Sequence, residues 1–306
     1  MRLRLPAASD PTEIIADWIE FETLRSEERR LSLEDLVRVI RRGGTTDAIA
    51  GPGGDAGSTI SQRVAEDAFV EIDNRVRACG PDKYPFEVAP GVLHLRQAHE
   101  LSSYVLLLLL SNTKPTSGHA GTAALFERLC QYAALGYLGG GANGAAAIRF
   151  GAPRVAPIAR LNDAVDHLCR VIAEGGGCKN RQKANHTGDG ELDIVAWRHF
   201  PDLRSGKLIA FGQCASGASD WQAKLAKLDG ERFCKKWLRD MFVVAPMRLF
   251  FVPRRIPPND WDHAGIDGGI LFDRCRIVAC LKDVSNDVLH QCEQSVRVLL
   301  AKVRHG

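Results

Sequence analysis

The sequence lacks the cysteine patterns that bind zinc or cross-link small domains. Its nine cysteines are scattered over 306 residues, with no CxxC pair and no His-x₃-His partner. This spacing argues against a zinc ribbon and against a disulfide framework. We therefore expect reduced, mostly buried thiols and a cytoplasmic protein.

Long hydrophobic runs are also missing. The run VLLLLL at Val105–Leu110 is far shorter than the ~20 apolar residues that a membrane-spanning helix needs. The N-terminal stretch MRLRLPAASDPTE has no apolar segment of the kind found in signal peptides. We expect a buried helix at Val105–Leu110 and no membrane partner.

Neither sign of charge dominates the chain. The formal net charge is +3, with 45% hydrophobic and 25% charged residues, which is typical of a folded protein that buries a core. A net charge this small neither indicates nor excludes nucleic acid, because basic residues can still gather on one face. We find no internal repeat and no low-complexity tail.

The most informative stretch is Gly188–Gly217, with the sequence GDGELDIVAWRHFPDLRSGKLIAFGQCASG. It predicts a β-hairpin, because two apolar strands, Glu191–Trp197 and Lys207–Cys214, flank a segment rich in turn-forming residues. Period-two alternation should turn Asp193 away from the apolar set Leu192, Ile194 and Ala196. Gln213 lies at the end of the return strand. A carboxylate and an amide oxygen at adjacent strand ends can form a site for a hard cation such as Mg²⁺.

The pattern GDGELDIVAW, a turn and then KLIAFGQCA resembles the PD-(D/E)XK nuclease superfamily, which has the restriction-endonuclease-like fold. It is most similar to variants in which Gln replaces the second acid. The resemblance implies that Asp193 and Gln213 hold Mg²⁺ or Mn²⁺. It also implies that Glu127, from the preceding helix, and the backbone carbonyl of Cys214 complete the metal site.

One position departs from the family pattern. The family places a catalytic Lys two residues after the Gln213 position, where this chain has Ala215. In some branches the following helix supplies that Lys, so the resemblance points to Lys224. The sequence leaves Lys227 and Lys183 open as alternatives.

Two further features adjoin the predicted hairpin. Glu127 lies in a predicted helix, Gly121–Leu138, and its alternative role is that of a solvated surface residue. The loop CKNRQKANH, which precedes the first strand of the hairpin, is basic. We expect it to contact a nucleic-acid backbone, with a solvated loop as the alternative, through Lys179, Arg181, Lys183 and His186.

Turn signals divide the chain into a helical region, 1–118, and an α/β region, 119–306. In the first region we predict four helices, a connection at Lys83–Val92 and a boundary at Asn112–Gly118. In the second, helices and strands alternate in an order that predicts a mixed β-sheet flanked by helices. That order fits the helix–three strands–helix–strand core that the resemblance implies, with Pro157–Ala173 as an inserted helix.

The resemblance implies a metal-dependent endonuclease that acts on nucleic acid, with DNA as the expected substrate. It further implies a role in bacterial defence against foreign DNA, beside a partner protein of the same defence system. The alternative is a catalytically inactive, nuclease-like binding or assembly subunit. A third hypothesis makes Cys214 a nucleophile with His186 or His199. The sequence leaves sequence specificity open. It also leaves the oligomeric state open, and an oligomer is one of the alternatives.

Overall fold

The computed structural model describes residues 3–43, 55–112, 120–217 and 221–304. The sequence predicts a loop at Thr45–Ser58, and most of this range and of the predicted boundary Asn112–Gly118 lies outside these residues. The chain forms two compact units. The first unit comprises Met1–Thr113, Arg254–Pro257 and Leu289–Gly306, and the second comprises Lys114–Pro253 and Pro258–Val288.

The first unit combines helices with a small antiparallel sheet of order β1-β3-β2. The predicted connection at Lys83–Val92 is therefore wrong, since two strands lie there. Pro90-Gly91 joins them, and Gly91 has a φ of +70°, as the third residue of a tight Pro-Gly turn requires. The elements are α1 (Thr12–Arg25), β1 (Arg30–Ser32), α2 (Leu33–Gly43), α3 (Asp55–Cys79), β2 (Phe86–Ala89), β3 (Val92–Leu95) and α4 (Ser103–Asn112).

The apolar run Val105–Leu110 lies in α4, and all but its last residue are buried. This confirms the predicted buried helix. No helix within the described parts of the chain has the length and apolar character that crossing a membrane requires.

A buried ion network joins α1 to α3. Arg75 is fully buried. Its Nη1 lies 2.8 Å from Asp17 Oδ1 and 2.9 Å from Glu20 Oε2, and its Nε lies 3.0 Å from Glu71 Oε1. The guanidinium also donates to the Glu13 carbonyl at 2.8 Å. Burial opposes the charge of Arg75, but Glu20 and Asp17 outweigh it and hold the pKa of Arg75 well above its usual range.

The second unit contains a five-stranded sheet of order β4-β5-β6-β7-β8. Its first two pairings are antiparallel and its last two are parallel, so the predicted mixed sheet flanked by helices is confirmed. The elements are α5 (Ala120–Tyr137), β4 (Ala145–Arg149), α6 (Leu161–Ile172), β5 (Ile194–Arg198), β6 (Leu208–Cys214), α7 (Gly230–Trp237), β7 (Met247–Phe251), α8 (Pro258–Gly268), β8 (Ile270–Phe272) and α9 (Arg274–Cys280). The last helix, α10 (Asn286–Arg304), follows, and most of its length belongs to the first unit.

Helices pack on the five-stranded sheet to form its core. One cluster joins α6 and α7 to sheet residues that alternate along β5 and β6, namely Val195, Trp197, Ile209 and Phe211. Helix α5 packs against β4, β5 and β6, and also against α9. The predicted helix at Pro157–Ala173 is confirmed as α6, which lies between β4 and β5.

Two predictions for the C-terminal part are wrong. The sequence predicts a polar turn at Trp261–Gly269, but α8 spans most of it, with Pro258 at its first position and Asp260 in its first turn. The sequence also predicts a strand at Gly269–Cys280, but β8 ends at Phe272. There Asp273 caps α9 by accepting a hydrogen bond from the Arg276 backbone N–H at 2.9 Å.

The helix expected immediately after the hairpin begins later than predicted. Gln222–Lys224 form only a 3₁₀ turn. Helix α7 begins at Gly230, where the Asp229 side chain accepts a hydrogen bond from the Arg232 backbone N–H at 2.9 Å. The Asp-Gly pair at this cap determines where the helix starts.

Candidate functional site

The ends of β5 and β6 bring the predicted hairpin residues together. The register pairs Ile194 with Gly212, which places Asp193 beside the end of β6. The Cys214 backbone N–H donates a hydrogen bond to Asp193 Oδ2 at 2.7 Å, and the Asp193 N–H donates to the Gly212 carbonyl at 3.0 Å. The two strand ends therefore lie side by side.

The chain enters β5 through a bent segment. Gly190 and Glu191 both have positive φ, +71° and +69°, and Asp189 Oδ1 accepts a hydrogen bond from the Glu191 N–H at 3.0 Å. The strand begins only at Ile194. The Leu192 side chain, which precedes it, packs in the same hydrophobic core cluster as Val195. The predicted alternation is therefore wrong before Ile194. A non-glycine residue in the left-handed region is uncommon.

Helix α5 brings a second carboxylate to Asp193. Gly151 lies between the two side chains. A Cβ atom at residue 151 would lie 2.7 Å from Glu127 Oε2 and 3.0 Å from Asp193 Oδ1. The missing side chain therefore leaves a small space that both carboxylates face.

An arginine neutralises part of this charge. Arg149, at the end of β4, places its Nε 2.6 Å from Glu127 Oε2, and both side chains are largely buried. The same guanidinium donates to the Pro153 carbonyl at 2.9 Å and to the Ala152 carbonyl at 3.2 Å. Glu127 is thus not the solvated surface residue of the alternative hypothesis.

The electrostatics of the pair are those of a site that lacks positive charge. Burial, followed by the nearby carboxylates of Glu127, Asp189 and Glu191, raises the pKa of Asp193 to about 7, although the Cys214 N–H opposes the shift. Burial also raises the pKa of Glu127, against the influence of Arg149. A cation bound between the carboxylates would favour their ionised forms.

Gln213 adds an oxygen without a partner. The residue is only 3% exposed. Its Nε2 donates to Glu191 Oε2 at 3.1 Å, while its Oε1 has no hydrogen-bond partner among the described residues. Leaving such a buried acceptor unsatisfied is costly, so the atom is available to a ligand.

These groups suit a hard cation better than a transition metal. The described part of the chain contains no group of three or more His, Cys, Asp or Glu side chains placed to hold a metal ion. The two carboxylates that face one space are Glu127 and Asp193, and the Gln213 amide is held by Glu191. Oxygen donors of this kind are the ligands of Mg²⁺, which retains several waters.

The Cys214 thiol is not placed to act as a nucleophile. Burial, the hydrogen-bonded Cys130 thiol and the nearby carboxylates raise the pKa of Cys214 well above its usual range, so the reactive thiolate is disfavoured. His199 follows the other end of β5 and accepts a hydrogen bond from Trp197 Nε1 at 2.7 Å. This geometry disfavours the Cys-dependent hypothesis.

The predicted basic loop is exposed, but its side chains differ in whether they already contact another residue. Arg181 pairs with Asp166 and lies 3.6 Å from Asp163. Lys179 and Lys183 are exposed. The ring of His186 packs against Trp237, with a centroid separation of 6.0 Å. A contact with nucleic acid through Lys179, Lys183 and His186 stays a prediction, and Arg181 is already paired.

No lysine follows Gln213 at the family position. Ala215 is fully buried, and its N–H donates to the Phe251 carbonyl at 2.9 Å. Lys224 is half-buried at the end of the 3₁₀ turn, and Lys227 is exposed further along. The role of Lys224 stays a prediction, and the cation seen at the carboxylates is Arg149.

Several residues of this site are not predicted from the sequence. Asp189 and Glu191 precede Asp193 at every second position of the segment DGELD, and this alternation of acids is the signal that could have indicated them. No local pattern indicates Gly151 or Arg149, because their importance arises from contacts with α5.

No protein-family model, curated protein or solved structure matches this chain.

Proposed function

We propose that this chain is a metal-dependent nuclease that hydrolyses phosphodiester bonds of nucleic acid, with DNA as the expected substrate. Asp193, Glu127 and Gln213 would hold Mg²⁺ or Mn²⁺, with the Cys214 carbonyl as a further ligand. The observation that carries this proposal is the convergence of the Asp193 and Glu127 carboxylates on the space at Gly151, beside a strand end whose buried Gln213 Oε1 has no partner among the described residues.

The order of elements supports the same proposal. Helix α5, the three strands β4 to β6, helix α7 and strand β7 follow one another along the chain, with α6 inserted after β4. This is the helix–three strands–helix–strand order that the resemblance to PD-(D/E)XK nucleases implies. Membership of that superfamily, a cytoplasmic location and a role in bacterial defence with a partner protein belong to the proposal.

The chemistry follows from the residues present. A divalent cation, when bound, stabilises negative charge on the phosphate and lowers the pKa of water. Asp193 is held in place by the Cys214 N–H, and Glu127 by Arg149, so neither carboxylate needs to reorganise. Glu191 accepts from Gln213 Nε2, which fixes the amide so that its oxygen is the free end. Fixed, partly buried charges of this kind stabilise a transition state better than mobile ones.

A second candidate function is a nucleic-acid-binding subunit without catalysis. It is favoured by the buried Ala215 at the family's Lys position and by the ion pair that Arg149 already makes with Glu127. Such a protein would bind nucleic acid whether or not metal is present.

A cleavage assay tests the proposal and separates the two functions. Plasmid, linear duplex and single-stranded DNA, and RNA, are incubated with the protein in Mg²⁺, Mn²⁺ or EDTA. Cutting that requires metal supports the nuclease. Binding without cutting under every condition would favour the inactive subunit instead.

Gly151→Ala is expected to lower metal-dependent cleavage by roughly 10- to 100-fold, because a displacement of about 1 Å in a catalytic group can cost this much. The new methyl group would lie too close to both carboxylates and would displace the flexible end of Glu127. Since Gly151 does not have a positive φ, the free energy of unfolding should change by less than about 1 kcal/mol.

Gly265→Ala provides the matched control, because a Cβ atom there would meet nothing within 4 Å. Cleavage rates and urea midpoints are measured for both variants. Wild-type cleavage by Gly151→Ala would show that the space between the carboxylates is not used.

A further inference from the structure

A cleft opens beside the bent segment that leads into β5. It has a volume of about 230 Å³ and lies between Gly190 and Glu191 on one side and α7 with the residues just before it on the other. Glu191 is only two residues from Asp193, and its carboxylate holds Gln213. The cleft is therefore linked to the candidate site through a side chain that belongs to both.

Three exposed cations line this cleft, namely Lys227, Arg232 and Lys236. Within the described parts of the chain, no ion pair involves Lys227 or Arg232, and the Lys236 ammonium lies 4.5 Å from the centre of the Trp237 ring. Arg232 and Lys236 are four residues apart on α7. Like charges at this spacing repel each other and weaken the helix, unless an anion lies between them.

The other cation of α7 is arranged differently. Lys235 does not line the cleft and pairs with Glu231 at 2.5 Å. The helix thus pairs Lys235 with an acid on its own surface and leaves the cations of the cleft without one.

Two acids also line the cleft, and both are engaged. Asp229 caps α7 by accepting from the Arg232 backbone N–H at 2.9 Å, and Glu191 accepts from Gln213 at 3.1 Å. Three cations against two engaged acids leave the cleft with an excess of positive charge. The buried rings of Phe233 and Trp237 also line the cleft.

We propose that Lys227, Arg232 and Lys236 bind a backbone phosphate of the nucleic-acid strand, next to the position at which the strand is cut. This inference rests on the proposed function and extends it to residues outside the predicted basic loop. Contacts to phosphate position a strand and carry no sequence information. The cleft would therefore bind DNA of any sequence with similar strength.

The test measures binding rather than cleavage. Fluorescence anisotropy with labelled duplex and single-stranded DNA is recorded in EDTA, between about 50 and 200 mM salt. The triple variant Lys227→Ala, Arg232→Ala, Lys236→Ala is expected to bind duplex DNA at least ~10-fold more weakly. The slope of log affinity against log salt should become shallower by about 0.9 for each phosphate that the variant no longer neutralises.

A matched triple variant removes the same charge from exposed positions that do not line the cleft. It combines Lys235→Ala with Arg204→Ala and Arg170→Ala. It is expected to lose much less affinity than the cleft variant. Far-UV circular dichroism checks that both triple variants fold. If the cleft variant does not fold, the single substitution Arg232→Gln replaces it in the binding assay.

The outcomes separate the two proposals. Equal losses of DNA affinity in the cleft and control variants, with cleavage by the wild type intact, would overturn the proposed phosphate site in the cleft. The proposed nuclease function would stand. If the wild type neither binds nor cuts any nucleic acid, the proposed function and the cleft both fail.

Discussion

Asp193→Asn is expected to lower metal-dependent cleavage by at least ~10³-fold, because metal stabilisation of a transition state is worth several kcal/mol and each ~1.4 kcal/mol is a factor of ten. Asp193 is the carboxylate that joins the two strands of the hairpin to the Glu127 side chain of α5. An amide in its place keeps an oxygen for the Cys214 N–H, which lies 2.7 Å from Oδ2, but loses the negative charge that attracts a cation.

This substitution should leave the fold intact. The ionised form of Asp193 is disfavoured by burial and by neighbouring carboxylates, so a neutral side chain removes repulsion and does not create it. Asp202→Asn is the matched control, because Asp202 is exposed in the turn of the same hairpin. Initial rates of DNA cleavage in Mg²⁺ are compared for the three proteins, and a wild-type rate for Asp193→Asn would exclude this site.

Arg75→Met is expected to destabilise the first unit by about 3–5 kcal/mol, the usual cost of removing one partner from a buried ion pair. The guanidinium is fully buried and contacts Asp17, Glu20 and Glu71. Without the guanidinium, these carboxylates would stay buried in a region of low dielectric constant, with too little positive charge nearby to stabilise them. Tyr84 and Tyr104 donate to Glu20 Oε1 at 2.6 and 2.7 Å, but hydrogen bonds alone do not neutralise it.

The control lies two residues along the same helix. Arg77 is exposed and bonds only to Asn74 among the contacts described, so Arg77→Met should change stability by less than about 0.5 kcal/mol. Urea unfolding gives the free energies of unfolding. Hydrogen exchange measured by mass spectrometry should locate the loss of stability in α1 and α3. Adding Glu20→Gln to Arg75→Met should recover part of the stability, since the two residues are coupled. An unchanged midpoint for Arg75→Met would contradict the role given to the network.

The parts of the fold that the sequence predicts well are those with a strong local signal. The hairpin around Asp193, the inserted helix and the buried run in α4 all follow from periodicity and from turn formers. The errors occur where a short signal competes with a longer pattern. Pro90-Gly91 favours irregular chain by composition, although it is the turn between two strands. Asp273 follows a long apolar run that predicts a strand, although it caps a helix.

The site shows the same division. The hairpin that carries Asp193 and Gln213 can be predicted because it is one local pattern, and the helix that carries Glu127 follows from the family resemblance. Gly151 and Arg149 cannot be predicted, since their roles depend on how α5 lies against β4. The contact of Glu191 with Gln213 cannot be predicted, because no local residue preference indicates the positive φ of Glu191.

Titration of the metal-free protein with Mn²⁺, followed by the electron paramagnetic resonance of the free ion, tests the metal site most directly. A pKa of about 7 for Asp193 means that a proton must leave before metal can bind. Affinity should therefore be roughly tenfold weaker near pH 6 than near pH 8. Asp202→Asn should behave as wild type, and Asp193→Asn should lose both the binding and its pH dependence. Equal Mn²⁺ binding by Asp193→Asn and wild type would contradict a metal site at these carboxylates.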